Sequence, residues 1–357
     1  MSKTRIVVAL SGGVDSAVAA ALMVERGFEV IGVTLSLRHP DEEFSSRQNC
    51  GTLEDRRAIE ETVSKLGIEH HYLDCYKDFE AKVLRPAWEC YRRGVTPNPC
   101  CWCNTGIKFG ELIKFAHKTG AEKLITGHYA KKVLVNGGWR LLRGDDPLKD
   151  QSYFLYRLSC EQLAFADFPL GWTSKSEVKR LAGELNLRRV AEKRESQDAC
   201  FSFAGEPFPE TLRRLFGKEM PGGVFTYGGK VVGGHDGIHR YTTGQRKGLN
   251  VALGVPAYIK RITAATGEIE LVTDQRELEC AEFRVGDLNW QISPAEVSDR
   301  ELQIQIRYRS PAVAGRITAE PSGIWRVNLS SPARAVTPGQ SAVFYLDDMV
   351  VGGGIIL

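Results

Sequence analysis

The chain has 357 residues, 47 Lys plus Arg against 44 Asp plus Glu, and a formal charge of only +3. That length excludes one small core and suits two or three domains, while the near balance of charge means that any polyanion-binding surface must come from local clustering. Nine cysteines, an odd number in a large chain, argue against a disulfide framework and leave chemistry or a metal as the reason for any cluster among them.

The first apolar run, Ile6 to Leu10, is too short for a signal peptide or a membrane span, so a cytoplasmic protein with no membrane partner is expected. Strand-like and helix-like segments then alternate: Arg5 to Leu10, the Ala-rich stretch Ser16 to Arg26 stopped by Gly27, and Phe28 to Leu35. A charged helix from about Glu54 to Lys65 ends at Gly67, the strand His70 to Leu73 follows, and Lys123 to Thr126 runs into Gly127 and His128. The pattern predicts an α/β fold with a doubly wound parallel sheet, whose strand ends are where ligands sit. Asn136 and Gly137 between Val133 to Val135 and Trp139 to Leu142 predict a hairpin. Ser174 with Glu177 predicts a capping box opening a helix to about Leu185. From Gly222 onward, Gly-rich turns and short β-branched runs predict β structure, and Leu302 to Tyr308, Ile324 to Leu329, Ala342 to Leu346 and Val350 to Ile356 predict a small closed β domain.

Directly after the first strand, Ala9 and Leu10 lead into Ser11-Gly12-Gly13-Val14-Asp15-Ser16 and then a helix. Paired glycines let backbone N–H groups approach an anion, the serines add hydroxyls, and the helix N-terminus adds about half a positive charge. No Gly-Lys-Ser/Thr follows, so this is not a Walker loop. It resembles the pyrophosphatase loop of enzymes that cleave ATP between its α and β phosphates. The plain alternative is a strand-to-helix turn capped by Ser11 or Asp15. Asp15 is a candidate magnesium ligand or cap, and Thr34 and Leu35, at the end of the second strand, and Gly127 complete the nucleotide candidates.

Thr96-Pro97-Asn98-Pro99-Cys100-Cys101-Trp102-Cys103-Asn104 lies between helical segments, and its two prolines predict a loop or tight turn. The pair Cys100 and Cys103 fits a redox pair, half a metal site, or small buried thiols; with no second C-x-x-C nearby, a zinc ribbon is disfavoured. Cys200, after Glu195-Ser196-Gln197-Asp198-Ala199, reads alone as a buried thiol. Beside an adenylating loop it gains a use, because an adenylated oxygen is a leaving group that a thiolate or persulfide can displace.

Taken together, Ser11 to Ser16, Thr96 to Asn104, Gly127-His128-Tyr129-Ala130, Lys149-Asp150-Gln151-Ser152-Tyr153-Phe154-Leu155, Asp198 to Phe201, Gly234-His235-Asp236-Gly237-Ile238-His239, Thr243-Gly244-Gln245-Arg246-Lys247-Gly248-Leu249, Arg307-Tyr308, Thr337-Pro338-Gly339-Gln340 and Gly352-Gly353-Gly354 resemble the tRNA-specific 2-thiouridylase family over nearly the whole chain. The resemblance implies an ATP-binding pyrophosphatase-loop domain over 1–205, a small central β domain over 206–275 and a C-terminal β-barrel over 276–357. It implies ATP-dependent 2-thiolation of the wobble uridine, Cys103 as nucleophile, Cys200 as bearer of a persulfide, and Asn98, Pro99 and Cys100 against the target base. His128, Lys149, Asp150, Gln151, Arg307, Tyr308 and Gln340 fall where the family touches tRNA. Many members carry aspartate where Cys100 stands, so an iron-sulfur cluster on Cys100, Cys103 and Cys200 is a second expectation. ATP and Mg2+ are the expected cofactors. The expected partners are the anticodon stem-loop of tRNA, with Arg92, Arg93, Arg213, Arg214, Arg246 and Lys247 as phosphate-binding candidates, and an upstream persulfide carrier or cysteine desulfurase. The rival readings are an ammonia-using synthetase of the same loop class and an inactive tRNA-binding protein.

Overall fold

The computed structural model describes residues 3–41, 52–187, 201–203, 205–217 and 220–357. Its contacts divide the chain into two compact units: Met1–Lys82 with Cys100–Glu206 and Asp348–Val350, and Val83–Pro99 with Pro207–Asp347 and Val351–Leu357.

In the first unit, β1 (Arg5–Ala9), β2 (Glu29–Ser36), β3 (Glu69–Asp74), β4 (Leu124–Ile125) and β7 (Ala166–Asp167) form one sheet in the order β3-β2-β1-β4-β7. The pairings are parallel, with Val7 opposite both Ile31 and Leu124. This is the doubly wound sheet the alternating pattern predicts, with its order reversing at β1. Ile6, Val7 and Val8 are wholly buried because β1 is flanked on both edges and covered by helices. Helix α1 (Val14–Glu25) is alanine-rich because it lies tight on that sheet: Ala17, Val18, Ala19, Ala20 and Met23 join Ile6, Val8 and Ile125 in one core. A wholly buried side chain such as Val18 contributes about 1.5–3 kcal/mol.

Helix α2 (Leu53–Leu66) starts at Thr52, whose hydroxyl caps Asp55 while the Asp55 carboxylate returns to the Thr52 N–H, and it stops at Gly67 in the left-handed region. The hairpin of β5 (Ala130–Val135) and β6 (Gly138–Arg143) turns through Asn136 and Gly137, both at positive φ, as an Asn-Gly turn requires. At Ser174 only half of the predicted capping box forms. Its hydroxyl accepts from the Glu177 N–H, but the Glu177 carboxylate turns instead to Arg180.

The second unit holds two β assemblies. β8 (Gly223–Tyr227), β9 (Lys230–His235), β10 (Tyr258–Thr263) and β11 (Glu268–Val272) form a sheet in the order β10-β11-β8-β9 around Phe225, Ile259, Ile269 and Leu271. β12 (Glu279–Trp290), β13 (Leu302–Gln305), β14 (Val313–Ala319), β15 (Trp325–Arg334), β16 (Ser341–Leu346) and β17 (Met349–Ile356) run β12-β15-β14-β13-β16-β17, and β12 also pairs with β17, closing a six-stranded barrel. β12 reaches both neighbours because it is long and bulged. The strand predicted to reach Tyr308 ends at Gln305: Arg307 to Ser310 form a turn with Arg309 at φ 62.

Candidate active site

The phosphate loop folds on itself before α1 begins. Ser16 Oγ accepts from the Ser11 N–H at 3.1 Å and donates to the Gly13 carbonyl at 2.9 Å. Gly13 is the N-cap and offers no side chain, so no side-chain cap occupies the mouth of a three-turn helix. That opening suits an anion. Gly12 sits at φ 74, and a Cβ there would come within 2.9 Å of the Asp55 carbonyl. Gly127 is equally constrained, since its Cβ would meet the Asp15 backbone at 2.8 Å. Thr34 donates to the Leu10 carbonyl at 2.8 Å and sits 2.9 Å from His70 Nε2, which ties the strand end that carries Leu35 to the base of the loop. These contacts fit a nucleotide with its phosphates on the loop amides.

Asp15 neither caps α1 nor stands open to a cation. Lys175 Nζ reaches both of its oxygens, at 2.6 and 2.8 Å, and the Tyr129 hydroxyl donates to it at 2.7 Å. A bare carboxylate in the first turn would repel a polyphosphate; this pairing neutralises it. Lys175 and Tyr129 are functional candidates that the reading of the sequence did not single out. Lys175 lies 160 residues from Asp15, and its only local signal is that it follows a helix cap.

The cysteine segment overturns its expectation. Pro99–Cys103 is helical and continues into a π-helical turn, Asn104–Lys108, closed by Phe109 N–H to the Asn104 carbonyl at 2.7 Å. Pro99 stands at the first position of that helix, where a missing N–H costs nothing, so it starts a helix instead of preventing one, and Pro97 lies before it. Cys100 and Cys103 are half-buried, and Cys101 is buried with its Sγ 3.9 Å from the Tyr153 carbonyl. Asn104 donates to the Phe154 carbonyl at 3.1 Å, and Gln162 donates to the carbonyls of Thr105 and Phe109. Cys200 lies outside the described residues; Phe201 beside it is buried, 5.3 Å from the Phe79 ring. Burial, with Glu111, Asp78 and Asp74 nearby, pushes the Cys75 thiol up to about 11, which keeps it protonated and removes it as a rival nucleophile.

The segment 149–155 links the two halves of this site. Gln151 exchanges hydrogen bonds with the backbone of Tyr129, its Oε1 accepting from the N–H at 3.0 Å and its own N–H donating to the carbonyl at 2.8 Å. Tyr129 in turn holds Asp15. A continuous path therefore runs from the phosphate loop through Asp15, Tyr129 and Gln151 to Tyr153 and Phe154, and from their carbonyls to Cys101 and Asn104.

The side chains expected to touch tRNA are partly engaged inside the protein. The Asp150 carboxylate accepts from Arg143, from the N–H groups of Gly144 and Ser152, and from the Ser152 hydroxyl. His128 is buried between Phe109 and Phe168, with Nδ1 2.8 Å from Thr126 Oγ1. Burial, and then the charge of Lys108, hold it well below the ordinary histidine range, so it is neutral and has a hydrogen bond but no charge to offer. Lys149 is half-buried in the same segment.

In the second unit, Arg307 Nη2 donates to Thr337 Oγ1 at 2.8 Å, Arg309 stacks over the Tyr308 ring, and Gln340 donates to the carbonyls of Thr96 and Pro97. Asn98 is buried and donates to Ser341 Oγ, and Pro99 follows it. Arg92 and Arg213 pair with Glu89 and Glu210 on their own helices, whereas Arg246 and Lys247 are exposed.

Residues 4–203 match the family described as the tRNA methyl transferase HUP domain, 210–273 the tRNA methyl transferase PRC-barrel domain, and 280–356 the aminomethyltransferase beta-barrel domain. Among curated relatives, tRNA-specific 2-thiouridylase MnmA of Synechococcus sp. (strain JA-2-3B'a(2-13)) is 41% identical over 361 residues, covering 99% of this chain and 95% of the relative. The proteins of the same name from Sorangium cellulosum and Pelobacter propionicus are 40% and 42% identical, each alignment covering 99% of this chain and 92% and 97% of the relative.

Proposed function

The chain belongs to the tRNA-specific 2-thiouridylase family, and on that premise we propose that it replaces the C2 oxygen of the wobble uridine of tRNA with sulfur at the expense of ATP. The observation that best supports this is the path from Asp15 through Tyr129 and Gln151 to the carbonyls that hold Cys101 and Asn104, since it fixes an anion loop and a thiol helix to one frame. The matching family descriptions name methyl transfer, whereas the curated relatives that align over nearly the whole chain are named 2-thiouridylases, and an anion loop beside a cysteine-bearing helix supplies what ATP-dependent thiolation would use.

Ala9 to Ser16, Leu35 and Gly127 hold ATP, with loop amides on the phosphates and Lys175 cancelling the charge of Asp15. The uridine O2 attacks the α-phosphate and pyrophosphate leaves. The terminal sulfur of a Cys200 persulfide then attacks C2, and AMP departs with the former O2. The Cys103 thiolate attacks the Cys200 sulfur and breaks the S–S bond, leaving the electron pair on the base sulfur and a Cys103–Cys200 disulfide for an external thiol to reduce. Magnesium, when bound, neutralises phosphate charge. Among the described residues no group of three or more His, Cys, Asp or Glu is assembled for a metal, and Asp15 is paired with Lys175.

Asn98, Pro99 and Cys100 meet the flipped base, an extrusion costing about a few kcal/mol that a single-stranded anticodon loop reduces. His128, Lys149, Asp150, Gln151, Arg307, Tyr308 and Gln340 are the residues assigned to RNA contact. The domain limits we assign are 1–205, 206–275 and 276–357, the setting is cytoplasmic, and an upstream persulfide carrier or desulfurase supplies the sulfur. Among the described residues no helix is long and apolar enough to cross a membrane.

The deciding experiment incubates tRNA with protein, ATP, magnesium and a sulfur source and weighs its nucleosides. An oxygen-to-sulfur mass change on uridine, absent with Cys103→Ser and Cys200→Ser, is expected; tRNA binding with no such change in the native protein overturns the proposal. The cysteine at position 100 motivates a second version, with a cluster on Cys100, Cys103 and Cys200. Iron and charge-transfer absorption in anaerobically purified protein would support it, and their absence would remove it.

A further inference from the structure

The four residues before the thiol helix, Val95 to Asn98, have no regular structure of their own, yet several of their polar groups are held by distant segments. The Thr96 N–H donates to the Pro338 carbonyl at 3.1 Å, and the Thr96 hydroxyl donates to Thr242 Oγ1 at 3.0 Å. Gln340 Nε2 reaches the carbonyls of Thr96 at 3.0 Å and Pro97 at 2.9 Å, and Asn98 Nδ2 reaches Ser341 Oγ at 3.3 Å. Gly339, at φ 90, lies so close that a Cβ there would fall 2.4 Å from Val95 Cγ1 and 2.7 Å from the Thr96 carbonyl. Two distant segments, Thr242 and the turn from Pro338 to Ser341, therefore close on one strap, the first from 146 residues away and the second from more than 240. All of these bonds lie within the second unit.

A strap that served only to connect two elements would leave its carbonyls to water. This one is pinned at each of three successive residues, Thr96, Pro97 and Asn98, and the next residue, Pro99, is the first of the helix that carries Cys103. We infer that Thr96, Thr242, Gln340 and Ser341 are positioning residues for sulfur transfer: they fix where the thiol helix starts, and through its first turn the reach of Cys103. This rests on the thiolation reading proposed above. It assigns the barrel turn and the Thr242 segment a task beyond RNA contact. The phosphate loop and its partners Asp15, Tyr129 and Lys175 are held by none of these bonds, so ATP binding should survive loss of the clamp while sulfur transfer does not. Misplacing a reacting group by about 1 Å costs up to about a hundred-fold in rate.

The test compares native protein, Cys103→Ser, Thr242→Val, Thr242→Ser and the pair Thr242→Val with Ser341→Ala. Equilibrium binding of ATP reports the phosphate loop, nucleoside mass spectrometry reports 2-thiouridine, and the KM for tRNA is measured in parallel. Under the proposal the paired variant loses about ten- to a hundred-fold in thiolation, while ATP affinity and the KM for tRNA stay within about two-fold; Thr242→Ser, which keeps a hydroxyl, recovers the native rate. Parallel loss of ATP binding and thiolation would mean that the bonds merely support the fold and would overturn the inference, as would native thiolation in the paired variant. Continued thiolation by Cys103→Ser would instead sink the reading on which it rests, whatever the clamp variants do.

Discussion

The phosphate loop and the thiol helix both begin a helix at the edge of a site, yet they are built in opposite ways. The loop is made of backbone: glycines at the mouth of α1, no side-chain cap, and a bend held by Ser16 five residues from Ser11. The thiol helix is made of distant side chains, tied to Tyr153 and Phe154 some fifty residues on, and preceded by a strap pinned from residues 242, 340 and 341. A site built from backbone announces itself in a short string. One built from remote partners does not.

The comparison breaks most sharply at Gly12. Alanine there must adopt φ 74 and push against the Asp55 carbonyl, so Gly12→Ala should abolish detectable tRNA-dependent pyrophosphate release and cost more than about 1 kcal/mol in stability. Native pyrophosphate release would show that the loop is not the nucleotide site. Next is Lys175→Met, which leaves the Asp15 carboxylate unpaired beside the phosphates. The KM for ATP should rise about ten-fold, a cost of about 1.4 kcal/mol, and Asp15→Asn in the same chain should restore part of it. An unchanged KM would remove charge neutralisation from the account.

These two predictions also mark what was legible. The alternating elements, the glycine-rich loop, the Asn-Gly hairpin and most of the barrel strands follow from local pattern, because each rests on periodicity or on a residue with a special backbone preference. The helix at Pro99 was misread because proline at a first helical position looks the same in sequence as proline in a loop. Lys175, the clamp on Thr96 and the internal use of Asp150 were invisible because each depends on a partner the fold alone brings near.

Asp150 gives the third expected effect. Asp150→Asn removes the charge from a hub of four hydrogen bonds and turns one acceptor into a donor facing donors, costing about 2–3 kcal/mol in a denaturant titration; a change below about 0.5 kcal/mol would show the hub to be replaceable. The fourth concerns pH. Burial lowers His128 well below its ordinary value of 6.5, so the unfolded chain takes up this proton first as pH falls. Stability from neutral His128 is intact above about 6.5 and is lost progressively below it, at up to about 1.4 kcal/mol per pH unit until the folded pKa is reached. His128→Gln should flatten the dependence of Tm on pH between about 6.5 and 5; an unchanged slope would show the ring to be solvated. The smallest effect is at Gly137, whose φ of 77 nearly equals that of Gly12 but whose Cβ would meet nothing within 4 Å. Gly137→Ala should cost about 1 kcal/mol and leave thiolation untouched, so that the contrast with Gly12→Ala isolates the neighbour from the torsion.

The π-helical turn Asn104–Lys108 carries one more residue per turn than an α-helix would, and it lies between the thiols and the helix Glu111–Lys118. Each residue of an α-helix advances the chain by about 100° around its axis. Deleting any one residue of that turn would therefore let it relax to an ordinary helix and would swing Cys103 roughly a quarter-turn away, even with every named side chain still present. In this stretch the count of residues is under tighter constraint than their kind, and substitutions should be tolerated where single deletions are not.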